Sequence, residues 1–190
     1  MNPKFEVLVC ATIVATQLGF AANAQSGSEA PGVPGAVYTM TNDASENTIL
    51  VYSRNANGLL TFQGPVSAHG RGSGGILDPL QSQGSLVLSQ DGSFLFAANA
   101  GSGTISSFRV DRHGLNFIDE VHSGGEGPIS ITTHGDLLYA LNIANITGFR
   151  ILRDGTLRAV PSSTRFLATV GGEILAIRTS LLIRTGRFLP

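Results

Sequence analysis

The chain has 190 residues, a net charge of −1 and a single cysteine, and 42% of its residues are apolar whereas 13% are charged. This composition is typical of a folded, β-rich domain and excludes a disordered segment and a coiled coil. Basic residues gather at the C-terminal end, where residues 147–190 hold seven Arg and two acidic residues. Because these Arg lie in a mostly apolar tail without regular aromatic interleaving, we expect no nucleic-acid partner.

The N-terminal segment predicts export. Lys4 precedes a mostly apolar run over residues 7–15, and Ala22-Asn23-Ala24 offers the small residues that signal peptidase accepts. We therefore expect residues 1–24 to be a removable signal peptide, because the apolar run is too short for the alternative, a membrane anchor. The mature protein would be secreted or periplasmic, without membrane attachment. It would also lack thiol chemistry and disulfides, since Cys10 lies in the leader.

A linker and a first group of strands follow the leader. Residues 25–35 are rich in Ser, Gly and Pro, which is typical of an irregular lead-in. Short apolar runs then predict strands at residues 37–41, 48–54 and 60–62, separated by polar, Asn-containing loops. This first unit lacks a fourth strand.

Residues 85–132 repeat the same pattern of short apolar runs and polar turns more completely. Runs rich in β-branched and aromatic residues alternate with Asp-Gly, Gly-Ser and Gly-Pro turns. Such a pattern predicts an antiparallel meander, here with strands at residues 85–89, 93–99, 104–110 and 115–122. A break at residues 123–128 precedes the next strand, at residues 129–132.

The units repeat with a period that defines a fold class. Residues 94–99 align with residues 137–142 after 43 residues, and Gly114 aligns with Gly155 after 41. A period of roughly 40 to 45 residues built from four short strands is typical of a β-propeller blade. Helical repeats of that length need apolar spacing of 3.6 residues, which is missing. We predict an all-β, partial β-propeller of about three four-stranded antiparallel blades over residues 36–165.

Several short motifs carry a resemblance to a known family. They are the run from Asp78 to Leu86, Asn99-Ala100-Gly101-Ser102, Gly148-Phe149-Arg150 and Ser162-Ser163-Thr164-Arg165. With these motifs the chain resembles the β-propeller lactonase family, which groups 6-phosphogluconolactonase-like proteins with carboxymuconate cyclases. The resemblance implies a seven-bladed ring, no cofactor, and a small-molecule lactone or carboxylate as substrate.

Residues 166–190 depart from the repeat. They lack the Pro, Asp-Gly and terminal Asn of a further blade and are rich in Arg. We interpret this tail as the product of a truncated gene or a shifted reading frame. The alternative is a degenerate hairpin of residues 166–170 and 173–177 that turns at Gly171-Gly172. Three blades alone would leave two exposed sheet edges, which predicts self-association.

Strand direction predicts which loops meet. In an up-and-down meander, the loops at residues 42–47, 99–103 and 142–145 lie at the same end as the inter-blade loops, residues 69–83 and 123–128. The glycine turns at Gly92, Gly114 and Gly155 lie at the opposite end. Three aligned asparagines, Asn42, Asn99 and Asn142, are interpreted as structural residues that cap the second-strand turn.

Four residues of the inter-blade loops have the chemistry that a lactonase or cyclase needs, namely His69, Arg71, His122 and Glu126. A histidine can serve as a base near neutral pH, and arginine can hold a carboxylate or phosphate with two donors. Each also has a structural interpretation, as a solvated loop residue. No His, Asp or Glu group has metal-ligand spacing, so no metal is expected.

The sequence therefore supports more than one function. The first is an exported, metal-independent lactone hydrolase or lactonising cyclase, implied by the resemblance. The second is a non-catalytic extracellular propeller that binds a partner or glycan, because a fold does not define a function. The third is an inactive fragment, because three blades do not close a ring.

Overall fold

The computed structural model describes residues 35–75 and 84–167, and every regular element within these ranges is a β-strand. The predicted all-β class is confirmed. The signal peptide, almost all of the linker, the inter-blade residues 76–83 and the tail from residue 168 lie outside the described residues. The strands are β1 (Gly35–Met40), β2 (Thr48–Arg54), β3 (Leu60–Ser67), β4 (Leu86–Leu88), β5 (Phe94–Asn99), β6 (Thr104–Asp111), β7 (Gly114–His122), β8 (Ser130–His134), β9 (Leu137–Leu141), β10 (Asn145–Ile151), β11 (Leu157–Ala159) and β12 (Arg165–Phe166).

These strands form three antiparallel sheets of consecutive elements. The first sheet has the order β1-β2-β3, the second β4-β5-β6-β7, and the third β8-β9-β10-β11. Strand β12 also pairs with β10, so the outer strand of the third sheet is one strand interrupted at residues 160–164. The predicted meander of about three blades is confirmed, and within residues 35–75 the first unit shows the three strands that the sequence predicts.

The third sheet reaches slightly beyond the predicted end of the repeat. Phe166 pairs with Asn145, and the Leu167 amide donates to the Ala144 carbonyl at 2.9 Å. The second sheet ends in the same way, where the Ser123 amide donates to the Gly103 carbonyl at 2.9 Å. The rest of the hairpin considered for the tail lies outside the described residues.

Two apolar cores fill the spaces between neighbouring sheets. The first lies between the first and second sheets and contains Met40, Ile49, Leu95, Ala97 and Phe108. The second lies between the second and third sheets and is built from Phe96, Ala98, Ile105, Ile131, Leu138 and Phe149. Strand β5 supplies both cores, because successive side chains of a strand point to opposite faces. This explains why its sequence is an almost unbroken apolar run.

A β-bulge recurs at one position of the repeat. The pairing shifts between Val51 and Tyr52 in the first sheet and between Ser107 and Phe108 in the second. A bulge bends the strand and increases its twist. In the first sheet the extra residue is Gln63, and its neighbour Gly64 has a φ of 133°, which an L side chain rarely adopts.

Two adjacent serines of β6 provide a matched test of the packing. Both are fully buried, but the Ser107 hydroxyl has no hydrogen-bond partner, whereas the Ser106 hydroxyl accepts from the Asn99 amide and donates to the Ala68 carbonyl. A buried hydroxyl without a partner costs about 1–3 kcal/mol. We expect Ser107→Ala to leave the free energy of unfolding unchanged or raise it by about 1 kcal/mol, and Ser106→Ala to lower it by about 1–2 kcal/mol. Urea denaturation of both variants measures the difference, and equal effects of the two would contradict the packing described.

The turn between β4 and β5 predicts an acid-sensitive stability. The Asp91 carboxylate accepts from the Ser89 hydroxyl at 2.6 Å and from the Ser93 amide at 3.0 Å, and these bonds lower the pKa of Asp91 to about 2. Because this pKa is lower in the folded than in the unfolded chain, the stabilisation is present above about pH 4 and is lost as the pH falls towards 2. We expect the melting temperature of Asp91→Asn to fall less steeply than that of the parent between pH 4 and 2. Parallel thermal melts test this, and identical slopes would refute it.

Candidate functional site

The loops that the sequence predicts at one end of the sheets do meet there. The Asn47 amide donates to the Gly70 carbonyl at 2.8 Å, which joins the β1–β2 loop to the loop after β3. The Gly101 amide donates to the Arg71 carbonyl at 2.9 Å, and the Ile143 amide to the Glu126 carbonyl at 3.0 Å. We call this loop-lined end the mouth. The predicted placement of these loops is confirmed for the described residues.

The opposite end is formed by the glycine turns, as predicted. The Arg109 guanidinium donates to the Asp154 carbonyl at 3.0 Å and lies over the Phe94 ring. A shallow cleft of about 490 Å³ lies at this end between the second and third sheets, with Asp91, Asp136 and Arg153 on its rim. The four candidate site residues lie at the mouth, away from this cleft.

Two of the candidates occupy equivalent positions in successive inter-sheet loops. Arg71 stands three residues after Ala68, whose amide donates to the Asn47 carbonyl, and Glu126 stands three residues after Ser123, whose amide donates to the Gly103 carbonyl. Each candidate carbonyl then accepts from a turn of the following sheet. The backbone at Arg71 and Glu126 is therefore held between two sheets.

Glycines flank both positions for a physical reason. A Cβ at Gly70 would clash with the Asn99 side chain, and one at Gly125 would lie 2.7 Å from the Asn145 amide. The loops can cross the buried asparagines only without side chains at these positions. The glycines of the Gly-Arg-Gly and Gly-Glu-Gly patterns are therefore explained by the close approach of the loop backbone to the buried asparagines. The central Arg or Glu side chain is directed away from these asparagines.

The side chains of Arg71 and Glu126 are exposed at the mouth. Neither makes a hydrogen bond or an ion pair with any residue in the described ranges, although their backbones are fixed. A fixed backbone with a solvated charged side chain is suited to meeting a ligand, because ordering costs less when the main chain is already held. The arrangement provides one cation and one carboxylate in neighbouring loops.

The two histidine candidates lie at the start of their loops, next to the outer strands. The His69 ring stacks on Phe117 of β7 with a centroid distance of 3.7 Å, and its backbone has a φ of 59°. The Nδ1 atom of His122, the last residue of β7, accepts from the Gly124 amide at 3.1 Å. Within the described part of the chain, no hydrogen bond connects the side chains of the four candidates, so the structure does not join them into one cluster.

A buried amide network beneath the mouth was not found from the sequence. The Asn47 side chain donates from Nδ2 to the side-chain oxygen Oδ1 of Asn99 at 3.0 Å, and Nδ2 of Asn99 donates to the Ser106 hydroxyl at 2.8 Å. In the third sheet, Asn142 donates to Asn145 at 2.8 Å. The sequence identified Asn99 and Asn142 as structural, and both are fully buried. Their bonds reach across to neighbouring loops and sheets, beyond their own turn.

The alignment of Asn42 with the other two asparagines was wrong by one residue. Ile49 and Ile105 are both fully buried towards the following sheet, and they pair with Met40 and Ala98. The position of Asn99 in the second sheet therefore corresponds to Thr41 in the first. The cause is a longer first loop, in which Asn42 has a φ of 116° and accepts from the Ser73 amide.

The mouth also carries the carboxylate of Asp43, in the loop between β1 and β2. Asp43 accepts from the Ser45 hydroxyl and amide, and these bonds lower the pKa of the Asp43 carboxyl. This carboxylate is thus engaged by its own turn.

No group of three or more metal-ligating side chains occurs among the described residues. These residues also contain no helix long and apolar enough to cross a membrane.

Three consecutive antiparallel meanders that pack face to face and place alternate loops at one mouth define a partial β-propeller. Residues 35–166 match the model of the family described as Lactonase, 7-bladed beta-propeller, and the chain belongs to this family. No curated protein shows a significant match to the sequence.

Solved structures share the fold at low sequence identity. A predicted 6-phosphogluconolactonase of Bacteroides uniformis superposes with a TM-score of 0.55 at 20% identity, over 74% of this chain and 43% of that protein. A second predicted 6-phosphogluconolactonase, of Bacteroides fragilis, superposes with a TM-score of 0.51 at 19% identity, over 71% of this chain and 37% of that protein. A functionally unknown protein of Desulfotomaculum acetoxidans superposes with a TM-score of 0.51 at 18% identity, over 66% of this chain and 40% of that protein. The chain therefore spans less than half the length of these proteins, and the likeness shows the fold.

Proposed function

We propose that this chain is lactonase-like and acts on a small-molecule lactone, either by hydrolysing it or by closing it from a carboxylated precursor. Membership of the lactonase propeller family supports the class of reaction. Two of the similar solved structures are described as predicted 6-phosphogluconolactonases, which is consistent with an anionic substrate. The observation that carries the proposal is the pair of exposed charged side chains on backbone-clamped loops, Arg71 and Glu126.

Arg71 is proposed to hold the anionic group of the substrate. A guanidinium presents planar paired donors that match a carboxylate or a phosphate, and it stays charged throughout the useful pH range. Its carbonyl is fixed by the Gly101 amide at 2.9 Å, and its own amide donates to the Ser102 hydroxyl at 3.0 Å. The side chain therefore projects from a defined point of the mouth.

Glu126 is proposed to move the proton. In hydrolysis, its carboxylate would accept a proton from water while the water oxygen bonds to the lactone carbonyl carbon. The bond from that carbon to the ring oxygen then breaks, and the ring oxygen takes the proton from Glu126 as it leaves. In lactonising cyclisation of an unsaturated dicarboxylate, an oxygen of one carboxylate would bond to one carbon of the C=C bond while that double bond becomes single, and protonated Glu126 would give its proton to the other carbon. Arg71 would hold the second carboxylate.

His69 and His122 are proposed to act through the loops and not on the substrate. The stacking of His69 on Phe117 fixes the beginning of the first inter-sheet loop, and the bond of His122 to Gly124 fixes the beginning of the second. Both contacts are compatible with positioning the residues that follow, Arg71 and Glu126.

Kinetics of charge-removing variants test this assignment. We expect Arg71→Ala to lower kcat/KM for a phosphorylated aldonolactone on the order of 10- to 100-fold, because a charge-assisted contact contributes about 1.5–3 kcal/mol. The effect should be smaller for an uncharged lactone. Arg112→Ala, which removes an exposed Arg at the opposite end, is the matched control and should change nothing.

Glu126→Gln should lower kcat for both lactones, because it removes the proton acceptor and keeps the shape of the side chain. Turnover unchanged in both Arg71→Ala and Glu126→Gln would remove the site assignment while leaving the family membership intact. Carboxymuconate assayed in the same way distinguishes cyclase from hydrolase chemistry.

A second candidate is a non-catalytic propeller module or an inactive piece of a larger ring. It is favoured by the lack of any hydrogen bond between the four candidate side chains in the described ranges, and by the span of less than half of the similar structures. Calorimetry with the phosphorylated aldonolactone separates the possibilities. Binding without turnover identifies a module, whereas neither binding nor turnover identifies an inactive piece.

Export of the protein is part of the proposal and rests on the leader sequence. We expect the mature chain from its native host to begin at Gln25, because signal peptidase cleaves after small residues such as Ala22 and Ala24. N-terminal sequencing or intact mass measurement of the native protein checks this. A native protein that retains residues 1–24 in a cytoplasmic fraction would disprove it.

A further inference from the structure

The cleft at the end opposite the mouth has the size of a small-molecule site. It encloses about 490 Å³ between the second and third sheets, and most of its lining is apolar. Sites for small organic ligands usually measure about 300–1,000 Å³ and combine an apolar lining with a few polar groups. We call this feature the base cleft. None of the four residues used in the proposed function lines it, so what it binds is independent of that activity.

A difference in turn length leaves the base cleft open. In the second sheet, residues 90–93 connect Ser89 to Phe94, which are joined by a bond from the Ser89 amide to the Phe94 carbonyl at 2.8 Å. In the third sheet, only residues 135–136 connect the paired residues His134 and Leu137. Both turns contribute to the walls of the cleft. The shorter turn covers less of the space between the two sheets at this end.

The apolar floor of the base cleft is held in place by packing. The Phe94 ring lies beneath the Arg109 guanidinium, 5.2 Å from its centroid, and Gly155 approaches the ring so closely that a Cβ there would clash with it. Ile151 is buried in the core between the second and third sheets, and Leu152 beside it is half-buried. Because this lining is already ordered, a ligand that binds to it pays little for fixing the protein.

Two carboxylates on the rim are already engaged by the protein. Asp91 accepts from the hydroxyls of Ser89 and Ser93 at 2.6 and 2.9 Å, and Asp136 forms an ion pair with Arg150. Their hydrogen-bonding capacity is largely used, but their negative charge remains. That charge disfavours a ligand with several negative charges more than a ligand with one.

Two further polar side chains of the base cleft are exposed and unengaged. Neither the Arg153 guanidinium nor the Gln90 side-chain amide makes a hydrogen bond or an ion pair with any residue in the described ranges. A guanidinium matches a carboxylate with two parallel donors, and an amide nitrogen can supply another donor. Donors of this kind beside an apolar floor suit a ligand with a carboxylate at one end and hydrocarbon behind it.

We propose that the base cleft binds a monocarboxylate with an apolar body. Its carboxylate contacts the side chains of Arg153 and Gln90. Its hydrocarbon part lies on the floor formed by Phe94, Ile151 and Leu152. A phosphate or a dicarboxylate fits less well, because the two rim carboxylates repel the additional charge. The base cleft thus differs in selectivity from the mouth.

A nuclear magnetic resonance titration of the isotope-labelled full chain tests the location and the ligand class. Octanoate, kept below its micelle concentration, should shift the amide signals of Gly135 and Leu152 at the base cleft and leave those of Gly101 and Gly125 at the mouth unchanged. Hexanoate should bind more weakly, by up to about 4-fold for each CH₂ group removed, because less apolar surface is buried. Inorganic phosphate should cause no shift at the base cleft.

Variants separate recognition of the carboxylate from adsorption to an apolar surface. We expect Arg153→Ala to weaken octanoate binding about 5- to 10-fold, the low end for a charge-assisted contact because the rim is exposed. Octanol, which has no charge, should bind equally to the parent and to this variant. Arg112→Ala removes another exposed Arg at the same end, outside the base cleft, and is the matched control that should bind octanoate as the parent does.

Three results would overturn the proposal. The first is the absence of any shift at the base cleft with millimolar octanoate. The second is equal affinity of the parent and Arg153→Ala for octanoate. The third is octanoate binding that is lost in Arg71→Ala and kept in Arg153→Ala, since this would place the carboxylate at the mouth. Because Arg153 is exposed and makes no bond in the described ranges, its replacement is not expected to unfold the chain, and circular dichroism checks this.

Discussion

The structure depends on the burial of the second sheet on both of its faces. Strand β5 sends Leu95 and Ala97 to one core and Phe96 and Ala98 to the other, so neighbouring sheets are joined through single side chains of one strand. A fully buried large apolar side chain contributes about 1.5–3 kcal/mol, and Phe96, Phe108 and Phe149 are all fully buried. The first and third sheets are thereby held in a fixed relation to each other. The mouth depends on that relation, because its loops come from all three sheets.

Polar contacts at the mouth set the position of the loops more finely than the apolar cores can. Apolar packing is non-directional, whereas the bonds from Asn47 to Asn99 and from Asn99 to Ser106 require particular orientations. Because these groups are buried, losing one partner leaves the other unsatisfied. The network therefore stabilises one arrangement of the first two sheets and discriminates against shifted ones.

The sequence predicts the strands, the repeat and the shared end of the loops, since all of these follow from local patterns. Short runs of apolar, β-branched and aromatic residues between glycine turns identify β5, β6 and β7, and strand direction alone places Arg71 and Glu126 at one end. What could not be predicted depends on contacts distant in sequence. Asn47 reaches Asn99 across 52 residues, and nothing local distinguishes it from a loop asparagine.

The histidines show the same limit for the candidate site. His69 and Arg71 are two residues apart, and the sequence alone offers both as candidate site residues. The structure separates them because Phe117, a residue of another sheet, takes one face of the His69 ring. Asn42 shows a different limit, since a longer loop displaced its alignment by one position. The run from Asp78 that contributes to the family resemblance lies mainly outside the described residues, so its contribution to the mouth stays a prediction.

At the mouth, the loops are held by backbone hydrogen bonds, and their central side chains take no part in these bonds. At Arg71 and at Glu126, the same carbonyl-to-amide bond to the next sheet is made by residues of opposite charge. A backbone contact places no demand on the side chain, so the central residue of each glycine-flanked loop can change without loss of the fold. Successive sheets can then present different charges at equivalent points around one opening. A repeat that keeps its packing can in this way present an asymmetric surface at the mouth, because the charged side chains lie on the loops and not in the cores.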